Sequence, residues 1–213
     1  VFALDFNTLT RVGAMAESLD KSPAKKILLD HHPNPGGFCQ LTISHPEITS
    51  TSEMIFRLIC RMGSFTEINI ACAECIYTGM MTDTGAFTYN SNHSEMYVII
   101  SELIKKGINK DEIYELVYNK NSVERIKLKG YLLSEKLRIY PEYNTALITL
   151  NKAEKERFEF QRGDSEGFVN LPFCIEGVKF TAFFREDEEQ IRMSFRSKGD
   201  FPANEIASTY FNG

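Results

Sequence analysis

The sequence lacks several features that define large classes of protein. Its 24 Lys and Arg residues are outnumbered by 29 Asp and Glu residues, so there is no general positive charge of the kind that binds long nucleic acids. A short anionic substrate held by a few local cations is not excluded. No apolar run approaches the ~18 residues that a membrane-spanning helix requires. No signal-peptide pattern is present either, so we expect a cytoplasmic location.

Cysteines are few and do not suggest a disulfide framework. The five cysteines are odd in number and lie in apolar stretches, which favours reduced thiols in the core. Cys72 and Cys75 have the spacing of a metal-binding pair, but a structural zinc site needs four ligands and no second pair accompanies them. Residues three apart share one face of a helix, so we expect both side chains to pack in the core.

The length and apolar content are typical of a soluble globular protein. The 213 residues, of which 43% are apolar and 25% charged, suffice for one large domain or two small ones. The sequence begins at Val1, within a predicted strand and without a Met, so we expect it to be part of a longer polypeptide.

The tripeptide Asp30-His31-His32 is the first candidate functional site. It follows the apolar residues 26–29 and precedes a turn rich in Pro and Gly, so a predicted buried strand ends in three polar side chains. Carboxylate oxygen and imidazole nitrogen are ligands that suit Mn²⁺, Zn²⁺ or Fe²⁺. The alternative is a turn in which Asp30 caps the next segment and both imidazoles face water. The tripeptide alone does not decide between these interpretations.

A second strand end strengthens the metal interpretation. Residues 1–5 and 26–30 are both apolar runs that end in an acid, and a predicted helix over residues 7–19 separates them. Strand, helix and strand in this order predict parallel neighbours, whose carboxyl ends lie at one edge of the sheet. Asp5 and Asp30 are then close together, which is unfavourable unless a cation neutralises them.

The rest of the first part predicts a third strand and several helices. Residues 50–53, Ser-Thr-Ser-Glu, predict a capping box that starts a helix ending before Gly63. Their hydroxyls either cap this helix or contact a phosphate at its N-terminus. The remaining elements are a strand over residues 38–43 and helices over residues 67–81, 91–107, 109–119 and 122–141.

Asp83 is a third candidate acid. It lies in the polar stretch Thr-Asp-Thr-Gly that interrupts the apolar sequence at residues 82–85. An Asp before Thr-Gly is by default a turn residue. Its position directly after a buried helix also makes it a candidate metal ligand.

The pattern changes beyond Pro141, which we take as a domain boundary. Arg192, Arg196 and Lys198 place cations on the second strand of a predicted hairpin, either as a binding surface or as a solvated edge. The predicted elements are a strand over residues 145–150, helices over 152–158, 163–173 and 203–211, and hairpin strands over 177–185 and 190–196. The fold class is therefore α/β, followed by a smaller α+β module.

The order of these motifs resembles the DHH phosphoesterases over essentially the whole chain. Asp5, Asp30-His31-His32 and Asp83 are followed by the stretch Ser-Phe-Arg-Ser-Lys at residues 194–198. Within that family the sequence is most similar to the bifunctional oligoribonuclease/pAp phosphatases, or nanoRNases. The resemblance implies a parallel-sheet DHH domain over residues 1–119, a connection over 120–142, a DHHA1 domain over 143–213, and a cleft between the domains.

The resemblance also implies a site with two divalent metal ions. Mn²⁺ is the first choice, with Mg²⁺ or Co²⁺ as alternatives. Asp5 corresponds to the acid that bridges the metals, and His31 and Asp83 to ligands of the second metal. Asp30 would orient the imidazoles from behind, as carboxylates do for metal-bound His. His32 would face the scissile phosphate, as a hydrogen-bond donor or a proton-transfer group.

The second module would grip the substrate. Arg196, with Ser194, Ser197 and Lys198, corresponds to the DHHA1 strand that binds the substrate's other phosphate or its base, a bidentate task that suits a guanidinium. The family's first motif, with one His and two Asp ligands, is expected before Val1. A glycine-rich motif is expected near Gly213. Neither motif is in this sequence.

The implied function is hydrolysis of short 5′-phosphorylated RNA to mononucleotides and of 3′-phosphoadenosine 5′-phosphate (pAp). Short single-stranded RNA, dinucleotides and pAp are then the expected partners, with no membrane, and a homodimer is left open. Alternatives are a phosphodiesterase for cyclic or linear dinucleotides and a nucleotide-binding regulator without turnover. A family II pyrophosphatase is disfavoured by the Ser-Phe-Arg-Ser-Lys strand.

Overall fold

In the computed structural model, residues 1–211 are described, and the chain forms two compact units, Val1–Lys120 and Asn121–Gly213. Each unit has its own apolar core. The predicted α/β class with a parallel sheet is confirmed. Gly213, near which a glycine-rich motif is expected, lies outside the described residues. No helix in the described part of the chain is both long and apolar enough to cross a membrane.

The first unit contains a parallel sheet of three strands in the order β1-β2-β3. The strands are β1 (Phe2–Leu4), β2 (Ile27–Asp30) and β3 (Leu41–Ser44). Leu4 pairs with Leu29, so Asp5 and Asp30 follow equivalent positions on neighbouring strands. The predicted parallel arrangement and the shared edge of the two acids are therefore confirmed.

The connection between β1 and β2 differs from the single helix predicted over residues 7–19. A 3₁₀ segment, Leu9–Met15, precedes a short helix α1, Ala16–Lys21. Gly13 lies between them with φ of 54°, a left-handed conformation that interrupts a right-handed helix. The apolar spacing predicted helix here, but the glycine divides it.

Four helices pack into the core of the first unit. They are α2 (Thr51–Arg61), α3 (Ile70–Asp83), α4 (Ser94–Lys105) and α5 (Lys110–Tyr114). Ser50, Asn69 and Asn109 cap three of them, each accepting a hydrogen bond from the backbone three residues later. Helix α3 therefore begins after Asn69 rather than at residue 67 as predicted, and it extends to Asp83.

Helices α2 and α3 approach closely at Gly79. A Cβ atom at this position would lie 2.8 Å from the Cβ of Ser52 and closer still to its Oγ. Only a residue without a side chain fits at this distance. Because Ser52 lies next to Thr51 and Gly79 lies one turn before Asp83, the contact sets the separation of two segments that reach the candidate site.

We predict that Gly79→Ala lowers the free energy of unfolding by about 1–3 kcal/mol, because the added methyl overpacks the α2–α3 contact. The matched control is Gly130→Ala in α6 (Val123–Tyr131), where no atom lies within 4 Å of the added methyl. Removing a helical glycine there should stabilise the protein by about 0.5–1 kcal/mol. Urea denaturation followed by circular dichroism measures both. Equal effects of the two substitutions would contradict the prediction.

The second unit contains a mixed sheet in the order β4-β5-β6-β7. Its strands are β4 (Arg138–Tyr140), β5 (Thr145–Leu150), β6 (Phe180–Glu186) and β7 (Ile191–Ser197). Its helices are α6, α7 (Lys152–Arg157) and α8 (Ala203–Phe211). Strands β6 and β7 form the predicted antiparallel hairpin. Leu128 and Leu132 are fully buried, so the segment predicted as a connection packs into this unit's core.

Two helix predictions in this unit are wrong. The helix predicted over residues 122–141 ends in a π-helical turn at Leu132–Lys136, and β4 follows because it pairs with β5. The helix predicted from residue 163 is a 3₁₀ segment limited to Phe168–Cys174. Gly163 and Gly167 precede it with positive φ angles, which an α-helix does not accommodate.

All five cysteines are free, but not all are in a core. Cys60 and Cys72 are partly buried against the first unit's core, whereas Cys75 and Cys174 are exposed. The prediction that Cys72 and Cys75 both pack inward is therefore wrong for Cys75. Helix α3 buries Ala73, Ile76 and Tyr77, and Cys75 lies outside this stripe.

Asp187 is the centre of a cation cluster at the turn of the β6–β7 hairpin. Arg185 donates to both of its carboxylate oxygens, at 3.0 and 2.9 Å, and Lys155 lies 3.1 Å from Oδ1. These contacts, with Arg185 the largest influence, lower the pKa of Asp187 to about 2. Because the folded-state pKa lies below the unfolded value, the cluster stabilises the protein above pH 4 and loses this effect as the pH falls through 2.

We predict that Asp187→Asn lowers the free energy of unfolding by about 2 kcal/mol at pH 7 and by about half as much at pH 3. The exposed Asp200, replaced in the same way, is the control for a general change of charge. Urea titrations of both variants at the two pH values measure the difference. A deficit for Asp187→Asn that does not change with pH would contradict the electrostatic explanation.

Candidate metal centre

Asp5 leaves the end of β1 in an unusual backbone conformation. Its φ is 65°, in the left-handed region that residues other than Gly rarely adopt. Its backbone N–H donates to the Leu29 carbonyl of β2, so the turn is tied to the neighbouring strand. The carboxylate is about half exposed, and its Oδ1 accepts a 2.8 Å hydrogen bond from the Thr51 hydroxyl.

His31 follows β2 directly and is held by a backbone atom. Its Nδ1 donates to the carbonyl oxygen of Ile48 at 3.3 Å, so Nε2 is the ring nitrogen that faces the candidate site. Nε2 lies 3.6 Å from Asp5 Oδ1 and 3.6 Å from Asp83 Oδ2. The ring is four-fifths buried, so its orientation is restricted.

His32 is held by the carboxylate that precedes the pair. Its Nδ1 donates to Asp30 Oδ1 at 2.7 Å, and the Asp30 side chain is fully buried. Asp30 contacts His32, whereas the Ile48 carbonyl contacts His31. The prediction that Asp30 orients both imidazoles is therefore wrong for His31. The second carboxylate oxygen, Asp30 Oδ2, is buried without a hydrogen-bond partner.

Asp83 lies in the last turn of α3, not in a loop as predicted. Thr84 ends the helix, and its buried hydroxyl donates to the Met80 carbonyl at 2.7 Å. Burial raises the pKa of Asp83, the charge of Asp5 adds to the rise, and His31 and His32 oppose it. A bound cation would remove this penalty, because an opposite charge favours the ionised carboxylate.

The structure thus brings the predicted ligands together within the first unit. Ligand atoms of Asp5, His31 and His32 all lie within 4.8 Å of one another, and Asp83 joins them through its proximity to His31. Separations of 3.6 Å fit two ligands on one ion, since each Mn²⁺, Zn²⁺ or Mg²⁺ ligand lies about 2.0–2.2 Å from the metal. The site offers two carboxylates and two imidazoles whose Nδ1 atoms already form hydrogen bonds. This donor set suits a divalent cation.

A cavity adjoins this group. It has a volume of about 210 Å³, and Asp5 and Asp83 both line it. The hydroxyl-bearing residues Thr51, Ser52 and Thr82 contribute to the same wall. The space is large enough for several water molecules, each of which occupies about 30 Å³ in the liquid.

The hydroxyls of Thr49, Ser50 and Thr51, at the start of α2, are engaged within the protein. Ser50 Oγ accepts from the Glu53 backbone N–H, which confirms the predicted N-cap. Thr49 donates to the Glu53 carboxylate at 2.6 Å, and Thr51 donates to Asp5. The Glu53 side chain pairs with Arg57 instead of returning to the cap, so the capping box is half formed. All three hydroxyls are buried and engaged, which favours the capping interpretation.

The predicted substrate-binding residues of the second unit do not all share a face. Side chains alternate along a strand, so Arg192, Ser194 and Arg196 lie on one side of β7 and Ser197 on the other. Ser197 donates to the Phe201 carbonyl at 2.7 Å. Lys198 donates to the Phe173 carbonyl at 2.8 Å.

The side with the arginines forms a small cavity of about 160 Å³. Three arginines line it: Arg185, Arg192 and Arg196. Arg185 is paired with Asp187, whereas Arg196 forms no ion pair among residues 1–211. Ser165 also lines the cavity and accepts from Arg185 at 2.8 Å. We call these four residues and Ser194 the basic face.

Sequence reasoning missed Thr51 as a partner of Asp5 and Ile48 as a partner of His31. The hydroxyl cluster was the signal for Thr51, but helix capping explained it equally well. A backbone carbonyl has no sequence signal. Alternation along β7 could have separated Ser194 from Ser197 and added Arg192 to the Arg196 side.

Comparison with known proteins finds similar sequences and a similar solved structure. No protein-family model matches the chain. The bifunctional oligoribonuclease and PAP phosphatase NrnA of Bacillus subtilis is 29% identical over 193 residues, which cover 90% of this chain and 60% of that protein. The protein of the same name from Thermus thermophilus is 28% identical over 206 residues, covering 92% and 60%.

The chain is similar to the NrnA proteins over about nine tenths of its length. This confirms the predicted resemblance to the oligoribonuclease/pAp phosphatases of the DHH family. A solved structure of an exopolyphosphatase-related protein from Bacteroides fragilis matches with a TM-score of 0.95 and 57% identity, covering 100% of this chain and 62% of that one. The chain thus spans about 60% of the length of the NrnA-type relatives.

We predict that His31→Asn weakens Mn²⁺ binding more than about 100-fold, since even partners behind a ligand contribute 10–100-fold. The control is His93→Asn, an exposed histidine that precedes α4 and lies outside the group. Isothermal titration calorimetry with MnCl₂ measures the affinity, and circular dichroism checks the fold. Unchanged binding by folded His31→Asn would contradict a metal centre at this position.

Proposed function

We propose that this chain is the core of a metal-dependent phosphohydrolase that degrades short 5′-phosphorylated oligoribonucleotides to mononucleotides and dephosphorylates pAp. The observation that carries the proposal is the convergence of Asp5, His31 and Asp83 beside His32. The names of the NrnA-type relatives supply the substrate class. In this proposal the first unit corresponds to a DHH domain and the second to a DHHA1 domain.

Asp5, His31 and Asp83 would hold divalent cations, with Asp5 shared between two of them and Mn²⁺ as the preferred ion. Such ions, when bound, lower the pKa of a coordinated water and stabilise negative charge on a phosphate. The chain's own contribution is to hold the ligand atoms 3.6 Å apart before an ion arrives. The Nδ1 contact of His31 with the Ile48 carbonyl directs Nε2 to the same site.

His32 would act on the phosphate itself. Its Nδ1 proton is engaged by Asp30, so Nε2 is the atom that donates to a phosphate oxygen or exchanges a proton with it. With Nδ1 protonated, Nε2 donates when the ring is doubly protonated and accepts a proton when the ring is neutral. About two fifths of the His32 side chain is exposed, which leaves it accessible to a substrate.

The basic face of the second unit would bind the remainder of the substrate. Arg196 has a guanidinium without an ion-pair partner in the described residues, next to the Ser194 hydroxyl. This combination suits a second phosphate or a base edge. Ser197 and Lys198 remain candidates, although their side chains already donate to backbone carbonyls.

A second candidate function is hydrolysis of inorganic polyphosphate. The solved structure that is 57% identical to this chain is described as exopolyphosphatase-related. A linear polyanion would use the same acidic metal centre and the same arginines. The two candidates differ because an oligoribonucleotide also presents a base and ribose.

The test is a substrate panel with the full-length protein and Mn²⁺. We expect release of mononucleotides from pApA and of phosphate from pAp, and loss of both activities on removal of the metal with a chelator. Cyclic di-AMP, pyrophosphate and polyphosphate complete the panel. Preferred hydrolysis of polyphosphate would select the second candidate. Absence of all hydrolysis, with nucleotide binding retained, would favour a regulator instead.

Arg196→Ala tests the basic face in the same assay. We expect a higher KM for pApA with a smaller change in kcat, because the guanidinium binds a part of the substrate away from the reacting phosphate. Arg162→Ala is the control, since Arg162 is exposed in the same unit and lies outside the basic face. An unchanged KM for Arg196→Ala would remove Arg196 from the substrate site.

A further inference from the structure

The hydroxyl of Thr51 contacts the metal-binding end of Asp5. Thr51 is the first residue of α2 and is 5% exposed. Its Oγ1 donates to Asp5 Oδ1 at 2.8 Å, across 46 residues of sequence. This is a direct bond from a buried helix start to an exposed strand end.

Asp5 needs such a partner to keep one orientation. Its side chain is about half exposed, and its nearest histidine nitrogens, on His31 and His32, are 3.6 and 3.9 Å away, beyond hydrogen-bond distance. Within residues 1–211, Thr51 is the hydrogen-bond donor to this carboxylate. Without it, the carboxylate would sample several rotamers in water.

The bond selects the oxygen that faces the histidines. Oδ1 is the atom nearest both to His31 Nε2 and to His32 Nδ1, and it is the atom that accepts from Thr51. A carboxylate oxygen has two lone pairs. Thr51 occupies one of them, which leaves the other on Oδ1 and both on Oδ2 for metal ions.

Thr51 is free for this role because its neighbours satisfy the helix. Ser50 accepts from the Glu53 backbone N–H and so caps α2. Thr49 donates to the Glu53 carboxylate. The close α2–α3 contact of Ser52 with Gly79 holds the start of α2 against the helix that ends in Asp83.

We propose that Thr51 is a positioning residue that holds Asp5 Oδ1 toward His31 and thereby raises the affinity of the site for a divalent cation. Its hydroxyl acts through Asp5, the residue that would hold the ion. This inference rests on the proposed metal centre and adds a named residue to it. Loss of the Thr51 hydroxyl should lower the metal affinity, whereas loss of the Ser50 cap should lower the stability of α2.

The experiment compares Mn²⁺ binding by the full-length protein with Thr51→Val, Thr51→Ser and Thr49→Val. Val has the shape of Thr without the donor, and Ser restores the donor. Thr49→Val removes a buried hydroxyl from the same segment that bonds a carboxylate outside the site. Calorimetry gives the dissociation constants, and circular dichroism with thermal melting verifies that each variant is folded.

We expect Thr51→Val to bind Mn²⁺ about 10–100-fold more weakly. Thr51→Ser and Thr49→Val should bind close to the level of the unmodified protein. Normal binding by Thr51→Val, or equal losses in Thr51→Ser or Thr49→Val, would overturn the positioning role. If His31→Asn also binds Mn²⁺ normally, the metal centre itself is wrong; if only Thr51→Val does, the centre stands and the positioning role fails alone.

Discussion

The parallel hydrogen bonding of β1 with β2 is the constraint on which the candidate site depends. The register pairs Leu4 with Leu29, so β1 and β2 end at the same level of the sheet. Asp5 then turns in a left-handed conformation, while Asp30 stays buried at the strand end. A shift of one residue would exchange the faces of the strand and turn Ala3, the buried residue of β1, to the exposed side.

The helices complete the site from the opposite direction. Helix α2 begins with Thr51 next to Asp5, and α3 ends with Asp83 next to His31. One end of each helix therefore reaches the strand ends, and Gly79 sets their separation. The polar atoms of the site are carried by elements that also contribute buried residues to the core, including Leu29 of β2, Met54 of α2 and Met80 of α3.

The sequence predicted the acids and histidines of the site because each follows an apolar segment of a recognisable element. Predicting that Asp5 and Asp30 lie together required only two apolar runs that each end in an acid, and the rule that the carboxyl ends of parallel strands share one edge of the sheet. The partners of these residues were harder to predict. Thr51 had a competing role as a helix cap, and Ile48 acts through its backbone, which no residue type encodes.

The errors in the fold have similarly local causes. Strand β4 carries an apolar pattern too short to distinguish from the end of a helix, and only its pairing with β5 identifies it. The break at Gly13 required a φ angle that sequence alone does not show. On β7 the strand was predicted correctly, but its two faces were not separated, and Ser197 was grouped with Arg196 although it lies on the opposite side.

The two adjacent histidines differ in how a substitution affects the group that orients each ring. His32 depends on a side chain, so replacement of Asp30 removes its anchor at once. His31 depends on the carbonyl of Ile48, and that atom persists whichever residue occupies position 48. A scan of single substitutions would therefore report Asp30 as essential and position 48 as tolerant, although both support a histidine. Only changes to the path of the chain, such as an insertion or deletion between β3 and α2, would reveal the second anchor.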